Sequence, residues 1–528
     1  MEVGENMPKI NKFKESLLDK NTMSITWELV PGRGAREKAQ EDVIINAEKA
    51  SKGRKVHALT LTDNPGGNPA ISAEILAAEI VQMGIEPLVH FTCKDKNSNQ
   101  IESLLYALDR VEVRNLLVMT GDYIYSGFFG RARPVFDLEP MHVLTLLSAM
   151  NRGLEYDGPK GTKKHKPSEF FAGAVCSPFK KTEAELMAQY YKLKMKVAAG
   201  AKFIVSQIGF DARKIHELIQ FVKVNNWDIP VVGNIYVLPY GTAKLMSKNG
   251  IPGCVVTDKM LAELEKESKA PDKGRKARYL RAAKMYAIMK GMGYSGVHIG
   301  GHGTKYEDIE YIIDKGEGLS KDWISLISEF DYPMPDGFYY FEKDEKTGLN
   351  SDRVTDRKGR ALDTKVELIY PLSKIVHALM LEPGTLLWKP MRAIAKSIED
   401  TVFEKPYHFI EHITKTILYD CKDCGDCALP DLAYVCPMSQ CPKNIRNGAC
   451  GGSYDGWCEV YPGKKKCAYV RAYSRLKSCS KEHYLDHDMI PPWNLNLNQT
   501  SSWINLYLGR DHNADKYGIE RIDSKNNK

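Results

Sequence analysis

Between Ser24 and Gly300, short runs rich in β-branched residues alternate with amphipathic stretches whose apolar positions recur at helical spacing, the pattern of successive parallel βα units. Eight runs read as strands: SITWELV (24–30), VHALTLTD (56–63), PLVHFTC (87–93), NLLVMTGD (115–122), FFAGAVCS (170–177), FIVSQIG (203–209), IPVVGNIYV (229–237) and GVHIGG (296–301). The helical stretches between them include AREKAQEDVIINAEKASKG and EAELMAQYYKLKMKVAAGA, the second closing on a glycine of the kind that caps helices. Eight units in about 280 residues fit a closed (β/α)8 barrel better than an open doubly wound sheet, although the count alone admits both. The polar residues favour the barrel. Glu28, Thr62, His90, Thr92, Asp122 and Gln207 each fall near the C-terminal end of a run, the rim on which barrel enzymes carry their chemistry.

Two segments interrupt the alternation. Residues 123–169 hold YIYSGFFGRARP, a helical pattern near 138–151 and the basic turn GPKGTKKHKP, which reads as a solvated loop rather than a binding element. Residues 254–292 read as one or two charged helices for packing or assembly. After about Ser328 the text turns rich in charges and turn residues, a linker over 329–364, and helical patterns at 365–383 and 389–418 then deliver the chain to Cys421. The expected organisation is a barrel over 1–328, the linker, and a small cysteine-rich α+β domain over 365–528.

Composition adds limits. A chain of 528 residues exceeds what one hydrophobic core supports. No apolar run approaches a membrane span, and MEVGENMPKINKFK lacks the apolar core of a secretory signal, so a cytoplasmic protein is expected. A net charge of +7 on 74 basic and 67 acidic residues is mild and shows no basic block, which argues against nucleic acid and leaves room for an anionic ligand or an acidic partner. Nine of the twelve cysteines lie between Cys421 and Cys479. In a reducing cytoplasm that cluster reads as metal-binding rather than as a disulfide framework. Its spacing is Cys421-x2-Cys424-x2-Cys427-x8-Cys436-Pro437, followed by Cys441, Cys450, Cys458 and Cys467 as further candidate ligands, and by Cys479. Three close thiolates and a distant fourth suit a [4Fe-4S] cluster, and tetrahedral zinc accepts four thiolates equally well.

On the rim, a buried carboxylate at a strand end can have its pKa raised and act as a general acid. Glu28 fits that role, or a plain helix cap; His90 could be a core histidine and Asp122 a turn aspartate. Taken together, WELVPGR, LTLTD, HFTC, the GD of VMTGD, KVAAGA and SQIGFD resemble the methylenetetrahydrofolate reductases, flavin-containing barrels, across roughly residues 20–310. The resemblance implies that Glu28 protonates the folate and assists opening of the methylene bridge to a 5-iminium ion, that Asp122 contacts the pterin and tunes the flavin, and that Gln207 faces the substrate. It also places Thr62, His90, Thr92, Thr120, Gly121, Asp122, Lys180 and Lys196 at the flavin, with FAD the expected form and FMN the alternative.

Two departures bear on electron supply. CSPFKKTE puts Lys180 or Lys181 where NADH-using relatives carry a histidine, and YGTAKLM puts Thr242 and Met246 where they carry a glutamine and the phenylalanine that stacks on the nicotinamide. The tail, about residues 365–510, resembles the C-terminal domain of the methylenetetrahydrofolate reductases of anaerobes, in which iron-sulfur clusters and zinc accompany the flavin. One or two [4Fe-4S] clusters, with zinc possible, and electrons from ferredoxin or a partner protein are implied, in a homo-oligomer or a larger complex. The competing readings are an NADH-fed reductase with a zinc-only tail and a folate-dependent methyltransferase, which needs no flavin.

Overall fold

The computed structural model describes residues 10–522. All eight runs form strands, seven of them shorter than the pattern and the third shifted by one residue: Ser24–Leu29, Ala58–Leu61, Glu86–Thr92, Asn115–Met119, Phe171–Cys176, Ile204–Ser206, Val231–Tyr236 and Gly296–Gly300. They pair in parallel in sequence order, and the first closes on the eighth, with Thr26 opposite His298, to complete a barrel.

Alternation along the first strand sorts its side chains. Trp27 is fully buried outside the barrel wall, its indole N–H donating to the Thr304 hydroxyl at 3.1 Å and its ring 6.3 Å from that of Tyr306 on an outer helix. Ser24, Thr26 and Glu28 take the opposite face. The N-terminal end of the barrel is closed by a helix that the pattern analysis did not mark, Lys12–Leu18. Its Phe13 and Leu17 join Leu88, Leu117, Phe171, Phe203, Val205 and Val232 in one apolar cluster. Two buried side chains of this kind contribute roughly 1.5–3 kcal/mol each, so the short helix is held by packing rather than by its own propensity.

The helix near 138–151 is found at Pro140–Arg152. The basic turn is not a simple loop. It folds as an antiparallel hairpin, Glu155–Gly158 with Gly161–Lys164, exposed along its length and stacked through Tyr156 on His165 at 4.6 Å. Residues 254–292 give Asp258–Ser268 and Arg275–Met292, the latter burying Tyr279, Ala283, Tyr286 and Met289.

The segment 329–364 is more than a tether. Its strands Phe341–Lys343 and Asn350–Val354 pair antiparallel and are sewn to helix Ala212–Val224: Arg213 donates to the Asn350 side chain at 2.8 Å and to the Phe341 carbonyl at 2.7 Å, and Gln220 donates to the Ser351 carbonyl at 2.7 Å. The first compact unit therefore continues through Arg357, without Met187–Lys192, which groups with the second unit that takes up at Lys358.

The second unit is built from helices Ile369–Met380, Trp388–Ile398, Glu404–Tyr419, Ala468–Lys477 and shorter turns. Trp388, Ala395, Ile504, Tyr507 and Leu508 form an apolar core. The strands expected of an α+β tail reduce, among the described residues, to single bridges joining Tyr454 to Trp457 and Trp457 to Lys466. Among the described residues no helix is long and apolar enough to cross a membrane.

Candidate functional site

Strand ends bring Glu28, His90 and His298 to one point at the barrel's C-terminal mouth. The Glu28 carboxylate lies 3.6 Å from His298 Nε2, the two imidazole rings are 5.8 Å apart, and ligand-capable atoms of all three lie within 4.8 Å of one another. His298 was not singled out by the sequence. Its Nδ1 shares a hydrogen bond with the Thr26 hydroxyl at 2.9 Å, which fixes the ring with Nε2 toward Glu28.

Burial pushes the Glu28 carboxyl up, as expected for a strand-end acid. The hydrogen bond and charge of His298, aided by His90, overcome it, so the group stands below its ordinary range. His90 is pushed down to about 4 by burial and is neutral at pH 7. Two imidazoles and a carboxylate are also a set that can accept a divalent metal.

The remaining rim residues surround this cluster. Asp122 accepts the Gly66 backbone N–H at 2.8 Å, so its carboxylate ties the loop after the second strand to the end of the fourth. Gly121, beside it, has φ +86°, and a Cβ there would come within 2.9 Å of Thr92 and Lys94; only glycine leaves this backbone open to close approach. Thr120 is buried next to it. Thr92 donates to Asp63 at 2.5 Å, and Lys96 pairs with the same carboxylate at 2.6 Å. Gln207 accepts the Ile208 N–H at 2.8 Å and lies 4.0 Å from the Cys254 thiol. That thiol is raised to about 12, first by burial and then by Asp122 and Glu28, with Lys180 opposing, which gathers all three predicted charges about one atom. Lys196 donates to the Val175 carbonyl at the end of the fifth strand at 2.5 Å, and Lys180 is buried close by. Met246 is buried within helix Tyr240–Ser247.

Besides His298, the sequence reading missed Cys254 and Tyr236. Tyr236 sits at the end of the seventh strand and is raised to about 12 by burial and by Glu28. Strand phase was the available signal, since His298 and Tyr236 occupy alternate positions in runs already read as strands.

In the second unit the eight candidate ligands divide into two quartets. One cavity is lined by Cys421, Cys424, Cys427 and Cys436, and another by Cys441, Cys450, Cys458 and Cys467. Cys479 stands apart, against Tyr370 at 3.4 Å. Burial raises Cys424 and Cys441 to about 12, and neighbouring thiols add to it. Such groups become thiolates only beside a cation. Among the described residues no three sulfurs of either quartet fall within 4.8 Å of one another. Four thiolates suit one tetrahedral zinc or one [4Fe-4S] cluster alike.

The first ligand loop is pinned by distant residues. Gly425 has φ +68°, and a Cβ there would meet the Leu497 carbonyl at 1.8 Å. Trp493 donates to the Cys424 carbonyl at 2.9 Å and Asn505 to that of Gly425 at 2.8 Å. Asp426 accepts from Arg446 at 2.7 Å and from His512 Nδ1 at 2.6 Å, while His512 Nε2 reaches Asp431 at 2.9 Å and Lys516 reaches Asp431 at 3.0 Å.

Burial opposes the His512 charge and Arg446 opposes it further, yet Asp426 and Asp431 raise the ring from 6.5 to about 9. The stabilisation from this raised pKa is fully present below about pH 6.5 and is lost as pH rises through about 9. The melting temperature of the tail should fall by several degrees between about pH 7 and 9.5. Replacing His512 by Gln should flatten that dependence, and an unchanged slope in the variant would assign it to another group.

A search of curated proteins returns no match. Among solved structures, an uncharacterized protein from Clostridium thermocellum, described as binding two copies of 5-methyl-5,6,7,8-tetrahydrofolic acid, aligns at 13% identity over 58% of this chain and 99% of its own, with TM-score 0.40. The Yersinia pestis dihydropteroate synthase in complex with a sulfonamide drug aligns at 8% identity over 57% and 96%, with TM-score 0.33. The family model described as methylene-tetrahydrofolate reductase C terminal matches residues 401–496. The methylenetetrahydrofolate reductase model matches residues 12–301, more than half of the chain and the whole of the barrel strand set, and the chain belongs to the methylenetetrahydrofolate reductase family.

Proposed function

We propose that the chain interconverts 5,10-methylenetetrahydrofolate and 5-methyltetrahydrofolate with a bound flavin, and that its electrons pass through iron-sulfur clusters in the tail from ferredoxin or a partner protein. The observation that carries the folate chemistry is the Glu28 carboxylate held at 3.6 Å by His298 beside a second imidazole, with Asp122 at the same mouth.

A flavin fits the rim residues. Thr62 Oγ1 and His90 Nε2, two of the positions expected at the cofactor, are buried without a partner among the protein's atoms, and Gly121 leaves a cradle that a Cβ would fill. Bound there, the flavin supplies reversible two-electron chemistry. The protein's own part is proton and charge management. His298, steadied by Thr26, and Glu28 can hold one proton between Nε2 and the carboxylate, and Glu28 passes it to the folate as the methylene bridge opens. Asp122 stabilises the iminium cation that results.

Each of the tail's two quartets supplies the four thiolates that a [4Fe-4S] cluster takes, and the first carries the close x2 spacings that suit three corners of a cubane. Protein purified without oxygen is expected to carry one flavin and about eight iron atoms per chain and to oxidise methyltetrahydrofolate with a viologen dye but not with NAD. Replacing Cys424 or Cys450 by Ser should each remove about four iron atoms while leaving flavin bound. Flavin without iron, combined with NADH-driven turnover, would sink the electron-relay half of the proposal and leave the folate half standing.

A further inference from the structure

An apolar cavity of about 230 Å³ lies in the second unit between helices Ile369–Met380 and Glu404–Tyr419. Leu372, Val376, Leu418, Leu429, Trp503 and Leu506 form much of its wall. Leu372 and Leu418 are also exposed to solvent, by 53% and 41%, so the cavity reaches the surface between them across apolar side chains. Cys427 borders both this cavity and the one lined by the first quartet.

Buried polar residues interrupt the wall, Ser373, Lys415, Ser502 and Asp511 among them, and two others hold an atom without a partner. His377 and Asn513 are 4% and 2% exposed, and His377 Nδ1 and Asn513 Oδ1 find no hydrogen-bond partner among the protein's atoms. Both atoms are acceptors. The Asn513 amide nitrogen donates to the Cys427 carbonyl at 3.4 Å and to Asp511 at 3.3 Å, which leaves its oxygen free to accept. His377 Nε2 lies 3.1 Å from the Glu382 carboxylate and so carries the ring proton, while burial disfavours a second proton on Nδ1.

A buried acceptor left unmet is costly. Apolar cavities of about 150 Å³ already take up a benzene ring, and this one is larger and walled mostly by apolar side chains. The ligand that suits the wall is an apolar ring system carrying hydrogen-bond donors.

We propose that this cavity binds a lipophilic dihydroxyaromatic molecule of the quinol class, its rings against Leu372, Val376 and Leu506 and its hydroxyls donating to His377 Nδ1 and Asn513 Oδ1. Across Cys427 it would lie beside the first quartet, and so next to the electron path proposed above, but the binding does not rest on that path.

The test is an anaerobic titration of the full chain with 1,4-dihydroxy-2-methylnaphthalene and, separately, with 2-methylnaphthalene, followed by quenching of tryptophan fluorescence and by calorimetry. Saturable binding of one diol per chain is expected, with the hydrocarbon weaker by about tenfold or more. His377→Phe and Asn513→Leu should each weaken the diol alone, and Leu372→Trp should abolish binding of both. The wild-type comparison of the two ligands stands even if a variant fails to fold. Absence of saturable diol binding, equal affinity for the two ligands, or binding that survives Leu372→Trp in a folded variant overturns the proposal. Iron is measured on the same samples, so a protein without clusters that binds the diol disproves the cluster reading and leaves this one intact.

Discussion

Glu28→Gln is expected to retain flavin with an unchanged visible spectrum and to lose methylenetetrahydrofolate reduction by roughly 10²- to 10⁴-fold, the range over which a positioned proton donor contributes to catalysis. Glutamine keeps the size of the side chain and can still bond to His298, so binding of folate should change far less than turnover. The measurement is single-turnover reoxidation of dye-reduced protein by methylenetetrahydrofolate. The pH profile is the sharper part of the test. Because His298 and not burial decides the Glu28 protonation state, wild-type turnover should follow the pair as one unit, and His298→Gln should displace the alkaline limb of the profile, where the donor loses its proton, toward higher pH by restoring the upward push of burial. Normal turnover in Glu28→Gln would remove the acid role altogether.

The second large effect concerns stability. Asp426→Ala leaves Arg446 and His512, 3% and 5% exposed as side chains, without their shared carboxylate. Removing one partner of a buried charge network typically costs about 3–5 kcal/mol, because the remaining charges stay buried with fewer partners. For a unit of this size the tail's melting temperature should fall by about 10 °C, while the barrel's transition stays in place. Scanning calorimetry of the full chain, with iron measured before and after, separates this from loss of metal: a stability loss in protein that still holds its full iron belongs to the network. A change under about 1 kcal/mol would mean that the network is solvated in solution.

The barrel was legible because its strands alternate and its chemistry clusters at strand ends, a pattern that survives in one dimension. His298 was not legible. One histidine inside GVHIGG reads as a core residue until the closing of the barrel brings it to Thr26, 272 positions away. The direction of the Glu28 shift was missed for the same reason, since desolvation can be inferred from a strand end and a partner from the far end of the barrel cannot. In the tail, the x2 spacings announced Cys421, Cys424 and Cys427, but loops without periodicity hide the division of the eight thiols into two quartets. The clamp on the first quartet was hidden too, as His512 lies 86 positions from Asp426. The hairpin at 341–354 escaped notice because its strands are three and five residues long and largely charged, too short to show a period.

That hairpin has a consequence for modularity. Helix Ala212–Val224 carries a fully buried Lys214–Glu217 pair at 3.0 Å, and Glu217 also accepts the Tyr340 backbone N–H at 2.5 Å from the segment leading into the hairpin. The barrel thus brings its own cover for these charges and ends it at Arg357. Ending the chain before the hairpin would strip that cover from the Lys214–Glu217 pair, so the stretch through Val354 belongs to the barrel's own fold and not to whatever follows it.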